Sequence, residues 1–201
     1  QLPPEFITIV DPTLGQPSLT VHIPTRTISS QSGISETLLT PTSDAELFMD
    51  NVISQITDHI YISGLAGASN QQLITTTGIT HILNLHTEDY PHDPQIIYYQ
   101  LSIPDQPSFN ISTIFDSTDH FIDEAIKSGG KVLVHCQMGI SRSVTIVIHY
   151  LMVTYHCTTE QVLTYIKTRR PVASPNIGFM GYLLMTERQL NITPQKCLLE
   201  H

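Results

Sequence analysis

Cys136 and Arg142 stand six positions apart in the segment VLVHCQMGISRS, between an apolar run that reads as a buried strand and one that reads as a helix. Five intervening residues let the backbone curl into a cup whose N–H groups converge, and successive inward N–H groups form an anion-binding nest. Gln137, Met138, Gly139, Ile140, Ser141 and Arg142 would line that cup. The helix that starts near Ser141 adds the positive end of its dipole, which favours a phosphate dianion there. Gly139 suits a tight loop that needs positive φ or close backbone approach. Arg142 can fork onto two phosphate oxygens, a geometry that lysine does not reproduce. The same positive field favours the thiolate form of a cysteine, which is its nucleophilic form. Cys136 is therefore a candidate nucleophile toward phosphorus, through a phosphocysteine intermediate. The alternative is a structural cysteine at a strand end, since free cysteine is among the most buried residues. His135, Gly139 and the Ser143 hydroxyl, together with the preceding apolar strand, favour the chemical role.

At these residues the chain resembles the dual-specificity branch of the cysteine-dependent protein phosphatases. The resemblance extends to YISGLAGASN (61–70), GITHILNL (78–85), IPDQPSFNI (103–111), the glycine pair before KVLVHC, HYLM (149–152) and SPNIGFM (174–180), and covers about residues 55–190. It implies hydrolysis of phosphotyrosine and of phosphoserine or phosphothreonine in proteins, without a cofactor; the ten scattered histidines show no metal-ligand spacing, so no metal site is expected. Two positions depart from the family pattern, His149 for its usual alanine and Tyr182 for a common glutamine, both outside the loop.

A departing alcohol or phenol oxygen needs a proton, and a carboxylic acid on a neighbouring loop can supply it. Asp105 matches the family's general acid by position, 31 residues before Cys136. An aspartate between Pro104 and Pro107 could equally be a turn residue, and Asp89 and Asp93 are chemical competitors. By the same resemblance Ser143 supplies a hydroxyl that helps the thiolate leave, and His135 orients the loop and tunes Cys136. Asn110 is expected to cap the helix that follows it.

These residues need a scaffold, and the periodicity supplies one. Strand signals at 59–63, 81–86, 96–102 and 131–136 alternate with helical patterns, and a helix from Ser141 to about Tyr155 is apolar almost all round. The order predicts an α/β, cysteine-phosphatase-like fold: a central, mostly parallel sheet of four to five strands flanked by helices, with the nucleophile at the carboxyl end of a central strand. The organisation is a Ser/Thr/Pro-rich arm over 1–50, a catalytic domain over 51–192, and a tail over 193–201. In the arm, FITIV (6–10) and SLTVHI (18–23) suggest a β-hairpin. The closing Leu199-Glu200-His201 resembles an expression-tag scar.

Three cysteines, 21 and 40 positions apart, suggest neither a disulfide framework nor a zinc pattern, so a reducing, intracellular location in cytoplasm or nucleus is expected. On that ground the sequons at Asn110 and Asn191 are read as accidental. A net charge of −9 argues against nucleic acid or anionic membrane as partner, and no stretch reaches the roughly 20 apolar residues of a membrane span. Lys167, Arg169 and Arg170 form the one basic cluster, read as cations closing a helix before Pro171. The partner expected is a phosphoprotein, a kinase among the possibilities; oligomeric state is left open. Other readings are a phosphatase of inositol lipids, RNA 5′ ends or glucans, a phosphoprotein-binding module with little turnover, and a rhodanese-type domain. The neutral Gln137, Met138 and Ile140 disfavour the first, the retained Cys136, Arg142 and Asp105 the second, and the Asp105 segment the third.

Overall fold

The computed structural model describes residues 51–87, 92–194, Cys197 and Leu199, and the backbone of two strands in the arm. Those strands, β1 (Phe6–Ile9) and β2 (Leu19–His22), pair antiparallel as the hairpin expectation requires. The main sheet has five strands: β3 (Ser54–Gln55), β4 (Ile60–Ser63), β5 (His81–Asn84), β6 (Ile97–Gln100) and β7 (Val132–His135). Their order is β3-β4-β7-β5-β6. The pairs β4-β7, β7-β5 and β5-β6 are parallel, and only the short edge strand β3, which carries no periodic signal, runs antiparallel. The strand that leads into Cys136, β7, is thus central.

β4, β5 and β7 are buried along their whole length, as parallel strands covered on both faces must be. The register aligns Ser63 and Asn84 with His135. All three polar residues are buried at the strands' carboxyl ends. A buried polar row there is costly unless it is hydrogen-bonded, and it marks the edge where the site is built.

Helices α1 (Leu65–Ala68) and α2 (Gln71–Thr77) follow β4, and α3 (Phe115–Lys127) follows a 3₁₀ turn at Ile111–Ile114. Asn110 caps that turn, its Oδ1 accepting from the Ser112 N–H. α4 (Arg142–Tyr155) is buried continuously from Arg142 to Met152. Its run of Val144, Thr145, Ile146, Val147 and Ile148 has modest intrinsic helix propensity, so burial against the sheet and its neighbours holds it helical. α5 (Thr159–Arg169) starts with a Thr158/Gln161 capping box, and α6 (Ile177–Gln189) with Asn176 accepting from the Phe179 N–H.

The tail corrects two expectations. Cys157 and Cys197 form a disulfide with Cα atoms 5.3 Å apart, so an odd cysteine count does not mean that all three are free. The pair leaves Cys136 as the free cysteine. Sequence spacing hides the bond because chain folding brings the tail back to the residues between α4 and α5. Leu199, far from being an inert scar, packs into the core beside Cys197. The bond closes a 40-residue separation, for which chain entropy gives a stabilisation of about 4 kcal/mol. Reduction with dithiothreitol, or Cys197→Ser, is expected to lower the denaturant midpoint accordingly. An unchanged midpoint would remove the bond from the stability account.

Candidate active site

The loop after β7 is held by its carbonyls. Gln137 O accepts from Leu65 N–H at 3.0 Å and Ile140 O from Ser174 N–H at 2.8 Å. Met138 O and Gly139 O accept from the guanidinium of Arg170, at 3.1 and 2.6 Å. In a trans peptide the carbonyl and the following N–H point opposite ways. Four carbonyls fixed outward therefore aim the N–H groups of Met138, Gly139, Ile140 and Ser141 into the cup. Gly139 has φ of 65°, and a Cβ there would lie 2.5 Å from the Ser63 carbonyl, so both its conformation and its packing demand glycine.

Inside the cup, Cys136 Sγ accepts from Gly139 N–H at 3.3 Å and lies 3.3 Å from Ser143 Oγ. Arg142 comes from the first residue of α4 and is 8% exposed. Its Nη1 donates to the carbonyls of Leu85 and Ile103, at 3.2 and 3.1 Å. Its Nε is buried with no hydrogen-bond partner. One edge of the guanidinium is thus anchored, and the other is left for an anion's oxygens.

Asp105 sits at the same mouth. Its Oδ1 accepts from Ser141 Oγ and from Asn176 Nδ2, both at 2.7 Å, while Oδ2 lies 3.7 Å from Arg142 Nε. Asn176 N–H also donates to Ser141 Oγ, at 3.1 Å. A Cβ at Gly178 would collide with the Pro107 carbonyl, so the segment that carries Asp105 lies directly on the start of α6. The competitor Asp93 instead accepts from Gln71 Nε2 and Gln95 N–H, a turn role. Asp89 lies outside the described residues.

His135 is fully buried, with Nδ1 3.4 Å from Cys136 O. Burial pushes its pKa down to about 3. It is neutral near pH 7, an uncharged ring beneath the loop whose Nδ1 faces the Cys136 carbonyl. The departures from the family pattern lie apart from the loop. His149 stacks on Phe115 and bonds Asp119, whose carboxyl is pushed up by burial. Tyr182 packs on the core.

Two contributors escape sequence reasoning. Asn176 carried a signal, the SPNIGFM segment, but no role. The helix-closing role expected of the basic cluster holds for Lys167 and Arg169 in the last turn of α5. Arg170 itself is 1% exposed and turned onto the phosphate loop, a correction that follows from the turn at Pro171. Among the described residues, no group of three or more His, Cys, Asp or Glu is arranged to hold a metal.

The family described as "Dual specificity phosphatase, catalytic domain" matches residues 60–189. Dual specificity protein phosphatase 1 of Arabidopsis thaliana is 41% identical over 147 residues, which are 73% of this chain and 74% of that protein. MAP kinase phosphatase with leucine-rich repeats protein 3 of Dictyostelium discoideum is 41% identical over 145 residues, 71% of this chain and 17% of that protein. Among solved structures, the Yvh1 phosphatase domain from Chaetomium thermophilum matches with a TM-score of 0.64 at 30% identity, over 72% of this chain and 100% of that one. A family match running from the first residue of β4 to the last of α6 takes in every element that builds the cup, and by it the chain belongs to the dual-specificity phosphatase family and is a protein phosphatase.

Proposed function

We propose that phosphotyrosine and phosphoserine or phosphothreonine residues are hydrolysed here in two steps at Cys136. In the first, the Cys136 thiolate forms an S–P bond as the P–O bond to the substrate side chain breaks, and Asp105 gives its proton to the departing oxygen. Asp105 Oδ1 is occupied by two donors, so Oδ2 is the oxygen that carries this proton. In the second, water attacks phosphorus, its proton returns to Asp105, and the S–P bond breaks. Ser143 Oγ, 3.3 Å from the sulfur, then donates to the leaving thiolate, and orthophosphate departs. The amides of the loop and the free edge of Arg142 hold the equatorial oxygens throughout, where charge builds in the transition state. The observation that carries this is Cys136 Sγ inside a ring of inward amides beside an Arg142 Nε that makes no hydrogen bond and faces Asp105 Oδ2 at 3.7 Å.

Breadth follows from chain length. Between His59 and Cys136 only 77 positions separate the first core strand signal from the nucleophile, and four strands with their connections use nearly all of them. Little remains to build deep walls that would exclude the shorter phosphothreonine. The Dictyostelium relative's name supports a phosphorylated kinase as one substrate. Phosphotyrosine and phosphothreonine peptides are expected to be hydrolysed at the same site, both activities disappearing together in Cys136→Ser. Hydrolysis of phosphotyrosine with none of phosphothreonine, unchanged after deletion of residues 1–50, would overturn the dual assignment.

A further inference from the structure

Arg170 is a fully buried cation at the back of the phosphate loop, and its geometry is specific. α5 ends at Arg169, and Arg170 has φ of −136° and ψ of 84° ahead of Pro171, outside the helical region that a following proline disfavours. The chain therefore leaves the helix axis at this point. The guanidinium then reaches Gly139 O from Nε at 2.6 Å, Met138 O from Nη2 at 3.1 Å, and Ser54 Oγ on β3 from Nη1 at 3.2 Å, among its contacts.

We infer that Arg170 is a positioning residue that sets the donor array of the phosphate loop, an inference that rests on the loop being the phosphate site proposed above. The two carbonyls it holds belong to consecutive peptide units. The first unit ends in the Gly139 N–H, which donates to Cys136 Sγ. The second ends in the Ile140 N–H, which points into the cup. Pinning Met138 O outward thus directs one amide onto the nucleophile, and pinning Gly139 O directs the next onto the phosphate. The bonds are charge-assisted, which makes them about twice as strong as neutral ones. Each also draws electron density toward the carbonyl oxygen and strengthens the N–H at the other end of the same peptide. The outer two carbonyls of the loop, Gln137 O and Ile140 O, rest on backbone donors. The middle two depend on this one side chain. A lysine offers a point charge without a fork, so it can serve one carbonyl but not both in this geometry.

Arg170→Met and Arg170→Lys test the assignment, with the full chain, inorganic phosphate as competitive inhibitor, iodoacetamide at pH 6.5 as thiolate probe, and circular dichroism to verify folding. Loss of two charge-assisted bonds should weaken phosphate inhibition and slow Cys136 alkylation by about 10- to 100-fold in the methionine variant, with a smaller loss in the lysine variant. The dependence of kcat on leaving-group acidity should keep its wild-type slope, because Asp105 is untouched. If Arg170→Met does not fold, the lysine variant decides by the same two measurements. A folded variant with wild-type phosphate inhibition and wild-type alkylation rate overturns the role of Arg170 while leaving the two-step mechanism intact. A Cys136→Ser variant that keeps wild-type turnover overturns the mechanism itself, whatever the Arg170 variants show.

Discussion

Cys136→Ser is expected to leave a folded protein that still binds inorganic phosphate and has no measurable turnover. The cup is made of backbone amides and Arg142, none of which the substitution removes. The carbonyls that orient those amides are held from outside, by Leu65, Arg170 and Ser174. Sulfur is replaced by a smaller oxygen in a site that is 1% exposed, and Gly139 N–H retains an acceptor. What disappears is the nucleophile. A serine hydroxyl is weak unless an adjacent base takes its proton. The groups in contact with the side chain at 136 are the Ser143 hydroxyl and the Gly139 N–H, and neither is a base. Hydrolysis of an aryl phosphate, with phosphate binding measured by calorimetry on the same preparation, separates the two effects. Turnover at the wild-type rate in this variant would rule out covalent catalysis at residue 136.

Asp105→Asn is expected to lower kcat by roughly 10² to 10⁴, the span of general acid–base catalysis. The substitution is close to silent in structure. An asparagine Oδ1 can still accept from Ser141 Oγ and Asn176 Nδ2, the two bonds that fix the side chain, while the other atom becomes an amide nitrogen with no acid proton to give. The deficit should shrink as the leaving group becomes more acidic, since a stable phenolate needs little protonation to depart. A series of aryl phosphates of graded leaving-group acidity measures this directly. An equal deficit across the series would assign Asp105 a structural role in joining the 103–111 segment to α6. Asn176→Ala offers a further contrast, because it removes one of the two donors without touching the acid, and it should cost less than Asp105→Asn.

The sequence by itself determined the chemistry and the elements that carry it. Cysteine, glycine, arginine and serine at 136, 139, 142 and 143 lie within one turn of backbone, so their mutual geometry is a local matter that spacing and φ preferences govern. Strands β4, β5, β6 and β7 and helix α4 were legible for the same reason, as apolar runs and periodicities each contained in a few residues. Asp105 was placed by family position, and the fold brings it to the cup.

Tertiary structure alone decided the contacts that cross long separations. Arg170 meets Gly139 across 31 positions, Asn176 meets Asp105 across 71, and Cys157 meets Cys197 across 40. Pro171 marks where the helix stops, but nothing local shows that Arg170 finds acceptors 31 positions back while Arg169 stays exposed, or separates a cysteine bound to the tail from a free one. Which side chain turns inward is set by where α5 stops before Pro171 and by how α5, α6 and the tail pack on α4. Those are properties of the assembled core, where a buried charge or polar group persists only if distant parts of the chain supply its partners.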